Sequence, residues 1–363
     1  MDNFLQEHAW GKILAILVKL QFCVCKKEGG EVDIHSEQKI VTPRIAELVP
    51  SNGLEIETRK TSSGHHVQAE IQSNNISGTR LTCCCKYGNY IICAGFSGEL
   101  LFVEKDSLCV KHKDKISNSI IRCLKVVYSE KVLLVSTDAG EVIVYNLEYN
   151  EKQYYEHSNS PVYNIVLKEP KDFITSERNG DIFEWEYIPD IGIFRNKKIF
   201  AAGNPVFAMD IIGNNLVVVN SLGKKYEYDF LKSKLKGANI CDSNVFCLKK
   251  GIDDAVYYGL ATGTILLEEP GCDLVTLDSH QDAVRDLVFS AKKKWMFSVS
   301  KDRTVRAWHN GVPRVLTRVK DYLYQIVFEE SNICLYYVDG HGDIGAIHFL
   351  SDVDLADNID IKQ

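Results

Sequence analysis

From about residue 78 onward the chain alternates short apolar runs with polar turns at a nearly constant interval. The unit is an apolar run, a turn that usually contains glycine, and a second apolar run, as in IICAGFSGELLFVE, VLLVSTDAGEVIVYN and MFSVSKDRTVRAWHN. The turn positions are Gly98, Gly140, Gly180, Gly223, Gly263, Arg303 and Gly342, spaced by 42, 40, 43, 40, 40 and 39 residues. Each run is about five to seven residues long and rich in Val, Ile, Leu, Tyr and Phe, which predicts strands rather than helices. A glycine between two such runs fits a tight hairpin that needs a positive φ. Upstream of each hairpin stands a further strand-like piece: LTCCCKY, IIRCLKVV, VYNIVL, VFAMDII, VFCLKK, VRDLVF and YQIVF. Downstream lies a weaker fourth, as in LCVKH, KQYYEH and PRVLT.

A four-stranded sheet of this kind cannot bury both its faces alone, whereas stacked copies bury a continuous core. The interval of about 41 residues lies within the roughly 40–45 of a four-stranded propeller blade. The expected fold is therefore all-β, a seven-bladed β-propeller over residues 65–351. Closing the ring removes the open sheet edges that invite aggregation. The seventh unit shows only three strands, so its outer strand must come from elsewhere. HVQAEI, at 66–71, alternates suitably and is the favoured donor, from about 65–72; the acidic piece from Leu355 to Ile361 is the competitor.

The flanks read differently. Residues 1–25 carry an apolar stretch, WGKILAILVKLQFCVC, with Phe4, Ile13, Leu14, Leu17 and Leu20 spaced for a helix with one oily face. It is short for a membrane span and lacks the positive start of a signal peptide. Docking on the chain's own body is the favoured role, ahead of docking on a partner or lying on a membrane surface. Residues 26–64 are polar and rich in turn formers, a linker, and 352–363 form an acidic tail.

The sixth unit, DSHQDAVRDLVFSAKKKWMFSVSKDRTVRAWHNG, resembles a WD40 repeat. His280, Ser298, Asp302 and Trp308 fall at the spacing of that family's structural tetrad, which the resemblance implies is a buried polar chain tying a loop to the blade core. The third unit matches in part through His157, Thr175, Asn179 and Trp185, and the other five lack the His and Trp. The resemblance also implies that the residue after the first core position of each innermost strand stands near the top rim of the central channel. Units two to seven place Arg122, Tyr163, Phe207, Phe246, Arg285 and Tyr324 there, residue types that dominate protein–protein hot spots. The competing reading packs several of them between blades.

Composition adds limits. Lys and Arg number 42 against 49 Asp and Glu, a net charge of −7, which argues against binding nucleic acid through overall basicity. A local basic patch is still legible: Lys249, Lys250, Lys292, Lys293 and Lys294, with Lys197, Lys198, Lys232, Lys234 and Lys236 nearby, would by family geometry lie toward the lower face and suit phosphates of RNA. The 12 cysteines include the adjacent Cys83, Cys84 and Cys85, which make a poor disulfide framework because neighbours on a strand point to opposite faces, so a reducing compartment, cytosol or nucleus, is expected. No nucleotide loop, nucleophile elbow or HExxH occurs, and no cofactor or metal is expected. The expected role is a non-catalytic scaffold that binds proteins of a larger complex. An RNA- or ribosome-associated propeller and, less favoured, an enzyme with a site in the central channel are the alternatives.

Overall fold

The computed structural model describes residues 55–57 and 69–349 apart from 157, 169–170, 189–191, 252–254, 278, 293 and 310. The N-terminal helix expected over 1–25 and the acidic tail at 352–363 lie outside the described residues, as does most of the linker 26–64. Within that linker Glu55–Glu57 is a strand rather than coil, paired antiparallel with Ala69–Asn75. Every described element is a strand, and none of the described helices is long and apolar enough to cross a membrane, because there are none.

The strands form seven antiparallel sheets. Blade 1 runs from its innermost strand Leu81–Tyr87 outward to Val110–Lys115, blade 2 from Ile121–Val127 to Lys152–Glu156, and blade 3 from Val162–Leu167 to Gly192–Ala201. Blade 4 runs from Val206–Ile212 to Lys234–Asn239, blade 5 from Val245–Lys250 to Val275–Thr276, and blade 6 from Val284–Ser290 to Val312–Arg318. Blade 7 holds Leu323–Glu329, Cys334–Asp339 and Asp343–Phe349, and its outer strand is Ala69–Asn75, which pairs with Asp343–Phe349 from Ala69↔Phe349 to Asn75↔Asp343. Each innermost strand neighbours the next, and Leu323–Glu329 neighbours Leu81–Tyr87, so the ring closes.

Seven apolar clusters hold it together, one between each consecutive pair of blades. A strand sandwiched between two blades buries both faces, which explains why the runs are continuously apolar rather than alternating. The cysteine run shows this directly: Cys84 faces blade 7 and Cys83 faces blade 2.

The periodic turn residue has two reasons to be glycine. At Gly140 φ is 83°, and a Cβ there would meet the carbonyl oxygen of Ser158 at 1.9 Å, because the turn is pressed against the loop that leads to the next blade. Gly342 repeats this against Ser77, with φ 90° and 1.9 Å. Blade 6 is the exception, where Arg303 takes φ 66° with a side chain.

The tetrad of blade 6 forms as a continuous chain. Trp308 Nε1 donates to Ser298 Oγ at 2.7 Å, Ser298 meets His280 Nε2 at 2.7 Å, and His280 Nδ1 lies 2.9 Å from Asp302 Oδ2. With His280 neutral and Nδ1 protonated, every donor has an acceptor. Burial pushes the His280 pKa below its ordinary value. Burial opposes the Asp302 charge too, but hydrogen bonds from His280, Thr304 and the Gln281 N–H outweigh it and hold that carboxyl well below the usual range. In blade 3 the Trp185 Nε1–Thr175 Oγ1 bond forms at 2.8 Å. His157 lies outside the described residues, and Asn179 bonds Asp181 rather than extending that pair.

Candidate functional site

The register between the first and second strands of every blade shifts at one place: Leu81/Cys83, Ile121/Cys123, Val162/Asn164, Val206/Ala208, Val245/Cys247, Val284/Asp286 and Leu323/Gln325. The skipped residues are Thr82, Arg122, Tyr163, Phe207, Phe246, Arg285 and Tyr324. A bulged residue leaves the ladder and its side chain is re-aimed, a device frequent beside functional sites. All seven are half-buried and line one cavity of about 280 Å³ in the channel. None belongs to one of the buried apolar clusters between blades. Thr82 is the member that a search for Arg and aromatics passes over, although the same alignment places it as the second residue of LTCCCKY.

Six of the seven touch in sequence around the ring. The Arg122 guanidinium lies 5.7 Å from the centre of the Tyr163 ring, Tyr163 stacks on Phe207 at 5.0 Å, and Phe207 leans on Phe246 at 5.4 Å. Arg285 then lies over Phe246 at 4.4 Å and over Tyr324 at 5.3 Å. Lys301, just beyond the second strand of blade 6, adds cationic contacts to Phe246 at 6.0 Å and to the exposed Tyr322 at 5.9 Å. Backbone bonds such as Asp138 N–H to Ile120 O and Lys301 N–H to Ala283 O hold the end of each second strand beside the start of the innermost one, which brings these residues to the same mouth.

The two arginines of this arc differ. Arg122 is neutralised by a two-pronged pair with Asp138, Nε to Oδ1 at 2.7 Å and Nη2 to Oδ2 at 2.5 Å. Arg285 makes no ion pair or hydrogen bond to a described residue, its Nε is shut off from solvent, and burial works against its charge. Three residues along the innermost strands, about 10 Å deeper, the lining turns ionic. Lys249 lies there, half-buried; burial opposes its charge, but Asp286 and Asp210 outweigh it and raise its pKa. Asp286 is pushed up by burial, offset by Lys249 and by N–H donors of Ile326 and Leu287.

The sequence-predicted basic patch is therefore divided. Lys249 belongs to the channel wall, while Lys250, Lys292 and Lys294 are exposed and Lys293 lies outside the described residues. Lys197, Lys198 and Lys232 pair with Glu184, Asp181 and Asp229 of their own blades. Among the described residues no group of three or more His, Cys, Asp and Glu could hold a metal ion.

The family model of the WD domain, G-beta repeat, matches residues 271–309. That span begins just before the outer strand of blade 5 and ends with the third strand of blade 6, so the sequence repeat straddles two blades. Together with seven such sheets in a ring, it decides the family. The chain is a WD40-repeat propeller. No curated protein matches it. WD40 propellers generally mediate protein interactions and are generally non-catalytic. Among the described residues of this WD40 chain, the complete tetrad stands in blade 6.

Proposed function

We propose that the chain is a non-catalytic scaffold that holds partner proteins within a multiprotein complex, gripping them at the channel mouth. The observation that carries this reading is the unbroken Arg–aromatic arc from Arg122 to Tyr324, delivered by a bulge in every blade and left out of every interblade cluster. Aromatic side chains give large contact area with little loss of rotamer freedom, Arg adds forked hydrogen bonding, and both concentrate binding energy when partly desolvated. Ten described cysteines are free, which supports a reducing compartment, cytosol or nucleus. The divided lysines give no comparable support to RNA binding.

The test is a double variant, Tyr163→Ala with Phe207→Ala, compared with the native chain by affinity purification and thermal melting. Loss of co-purifying proteins at an unchanged melting temperature is expected. Retention of every partner, or unfolding of the variant, would count against the mouth as the gripping surface.

A further inference from the structure

Building on the interaction reading of the mouth, we infer that Arg285 is a carboxylate clamp: it selects a partner segment that inserts an Asp or Glu side chain into the channel between Phe246 and Tyr324.

Arg285 is the one guanidinium of the arc with no counterion among the described residues. A guanidinium keeps five N–H donors in its own plane and never deprotonates in proteins. Held over two ring faces, at 4.4 and 5.3 Å, it leaves those in-plane donors for a third partner. Its Nε is inaccessible and unbonded, so a donor is already desolvated before a ligand arrives. Such a group is costly unless something accepts from it. A carboxylate matches the fork with two parallel bonds.

Charge favours an acidic occupant and limits how acidic. Among the described residues, Arg80, Arg178, Arg285 and Lys301 at the mouth have no carboxylate partner, while Arg122 is already matched by Asp138. The acids nearby are Asp282 and Asp321, each accepting a backbone N–H of its own loop. Below Arg285 lie Asp286 and Asp210, facing Lys249. A single carboxylate meets one unmatched guanidinium above this layer. A dianionic phosphate in the same place would face these two aspartates with Arg285 as the arc's one free fork to hold it. The cavity of about 280 Å³ also suits one inserted side chain rather than a folded element.

The probe is a set of fluorescent decapeptide pools, random except for a fixed central Glu, Gln, Lys or phosphoserine, titrated into the purified full chain. The Glu pool should bind about 30-fold more tightly than the Gln pool, in line with a desolvated charge pair. Arg285→Gln should abolish that preference at an unchanged melting temperature, and Arg285→Lys should restore part of it. Equal binding of Glu and Gln pools, no binding by any pool, or a preference that survives Arg285→Gln would overturn the clamp. A preference for phosphoserine would overturn it in favour of phosphate. A peptide copying residues 352–363 that displaces every pool would assign the site to the chain's own acidic tail instead. Binding that is lost in the Tyr163→Ala, Phe207→Ala variant but shows no Glu preference would sink the clamp while leaving the interaction reading standing.

Discussion

Blades 5 and 6 fill the same two slots with opposite chemistry. In blade 6 Ser298 and Trp308 stand five residues before and five after the turn residue Arg303; in blade 5 Tyr258 and Glu268 stand five before and five after Gly263. In blade 6 the bond runs from the third strand to the second, Trp308 donating to Ser298. In blade 5 it runs from the second strand to the third, the Tyr258 hydroxyl donating to Glu268. The blade 6 chain continues through His280 to Asp302 and stays beside its own sheet. The blade 5 pair continues through Lys225, whose Nζ reaches Glu268 at 2.5 Å and Glu227 at 2.8 Å, so it ties blade 5 to blade 4. Blades 1, 2 and 4 place Cys93, Val135 and Val218 in the first slot, all buried and apolar or nearly so. The slot therefore tolerates an apolar filling or a satisfied polar one, and the fold does not require one particular residue set.

The sharpest way to break this comparison is to remove the acceptor at the centre of blade 6. Ser298 is fully buried and serves both His280 and Trp308. Ser298→Ala leaves two buried groups unmatched and should cost about 3 kcal/mol. Urea unfolding would read this, and a loss below about 1 kcal/mol would mean that the chain is dispensable.

Blade 7 supplies the contrast of a buried polar group that is not fully satisfied. Asp339 is 1% exposed, and its Oδ1 accepts from the N–H groups of His341 and Asp343. Its Oδ2 is buried with no partner. Burial, reinforced by the charge of Asp343, raises the Asp339 pKa to about 6. In the unfolded chain an aspartate titrates near 4, so between about pH 4 and 6 the unfolded chain ionises while the folded one keeps its proton. Stability from this group is present below pH 4, falls as pH rises to 6, and is gone above it. Asp339→Asn keeps the Oδ1 acceptor and removes the charge. The variant should gain about 2 kcal/mol over the native chain at pH 8 and almost nothing at pH 4. An equal effect at both pH values would show that ionisation is not the cause.

These particulars also show where sequence reading succeeds and stops. The turn residues were legible because positive φ and the close approach of a carbonyl both select glycine, as at Gly140 and Gly342. The rim positions were read from the family resemblance by aligning one step of every innermost strand, and the register shift falls at that same step in each blade. Tyr258 and Glu268 were not legible as a pair: they stand on different strands ten residues apart, and Lys225 comes from another repeat, 43 residues earlier. The split of the lysines was hidden for a related reason. Lys249 and Lys250 are neighbours in sequence, but a strand sends them to opposite sides, one into the channel and one to solvent.

Blade 5 should yield less than blade 6 to the matching truncation. Tyr258→Phe deletes a hydroxyl whose acceptor, Glu268, keeps Lys225 and is 28% exposed at its side chain, so water can replace the lost donor. A cost of about 1 kcal/mol is expected, roughly a third of that at Ser298. Parity between the two would mean that Lys225 does not support Glu268 alone, and that the two polar solutions are equally brittle.

The smallest expected effect is the pH response of blade 6 itself, and it separates the blades by sign. His280 has its pKa lowered by burial, so as pH falls through about 6.5 the unfolded chain takes up a proton that the folded chain refuses. Stability is full above that pH and declines below it, opposite to the trend from Asp339 over the neighbouring range. The native curve sums both, so the blade 6 contribution is read as a difference: His280→Gln, which keeps an amide to bridge Ser298 and Asp302, should lose the acid-side decline while the Asp339 trend stays. In the Asp339→Asn background the His280 slope should stand alone. If that background instead gains stability as pH falls from 7 to 5, and His280→Gln removes the gain, the histidine is protonated in the folded blade, and the chain runs as an ion pair with Asp302 rather than as a neutral relay of donors.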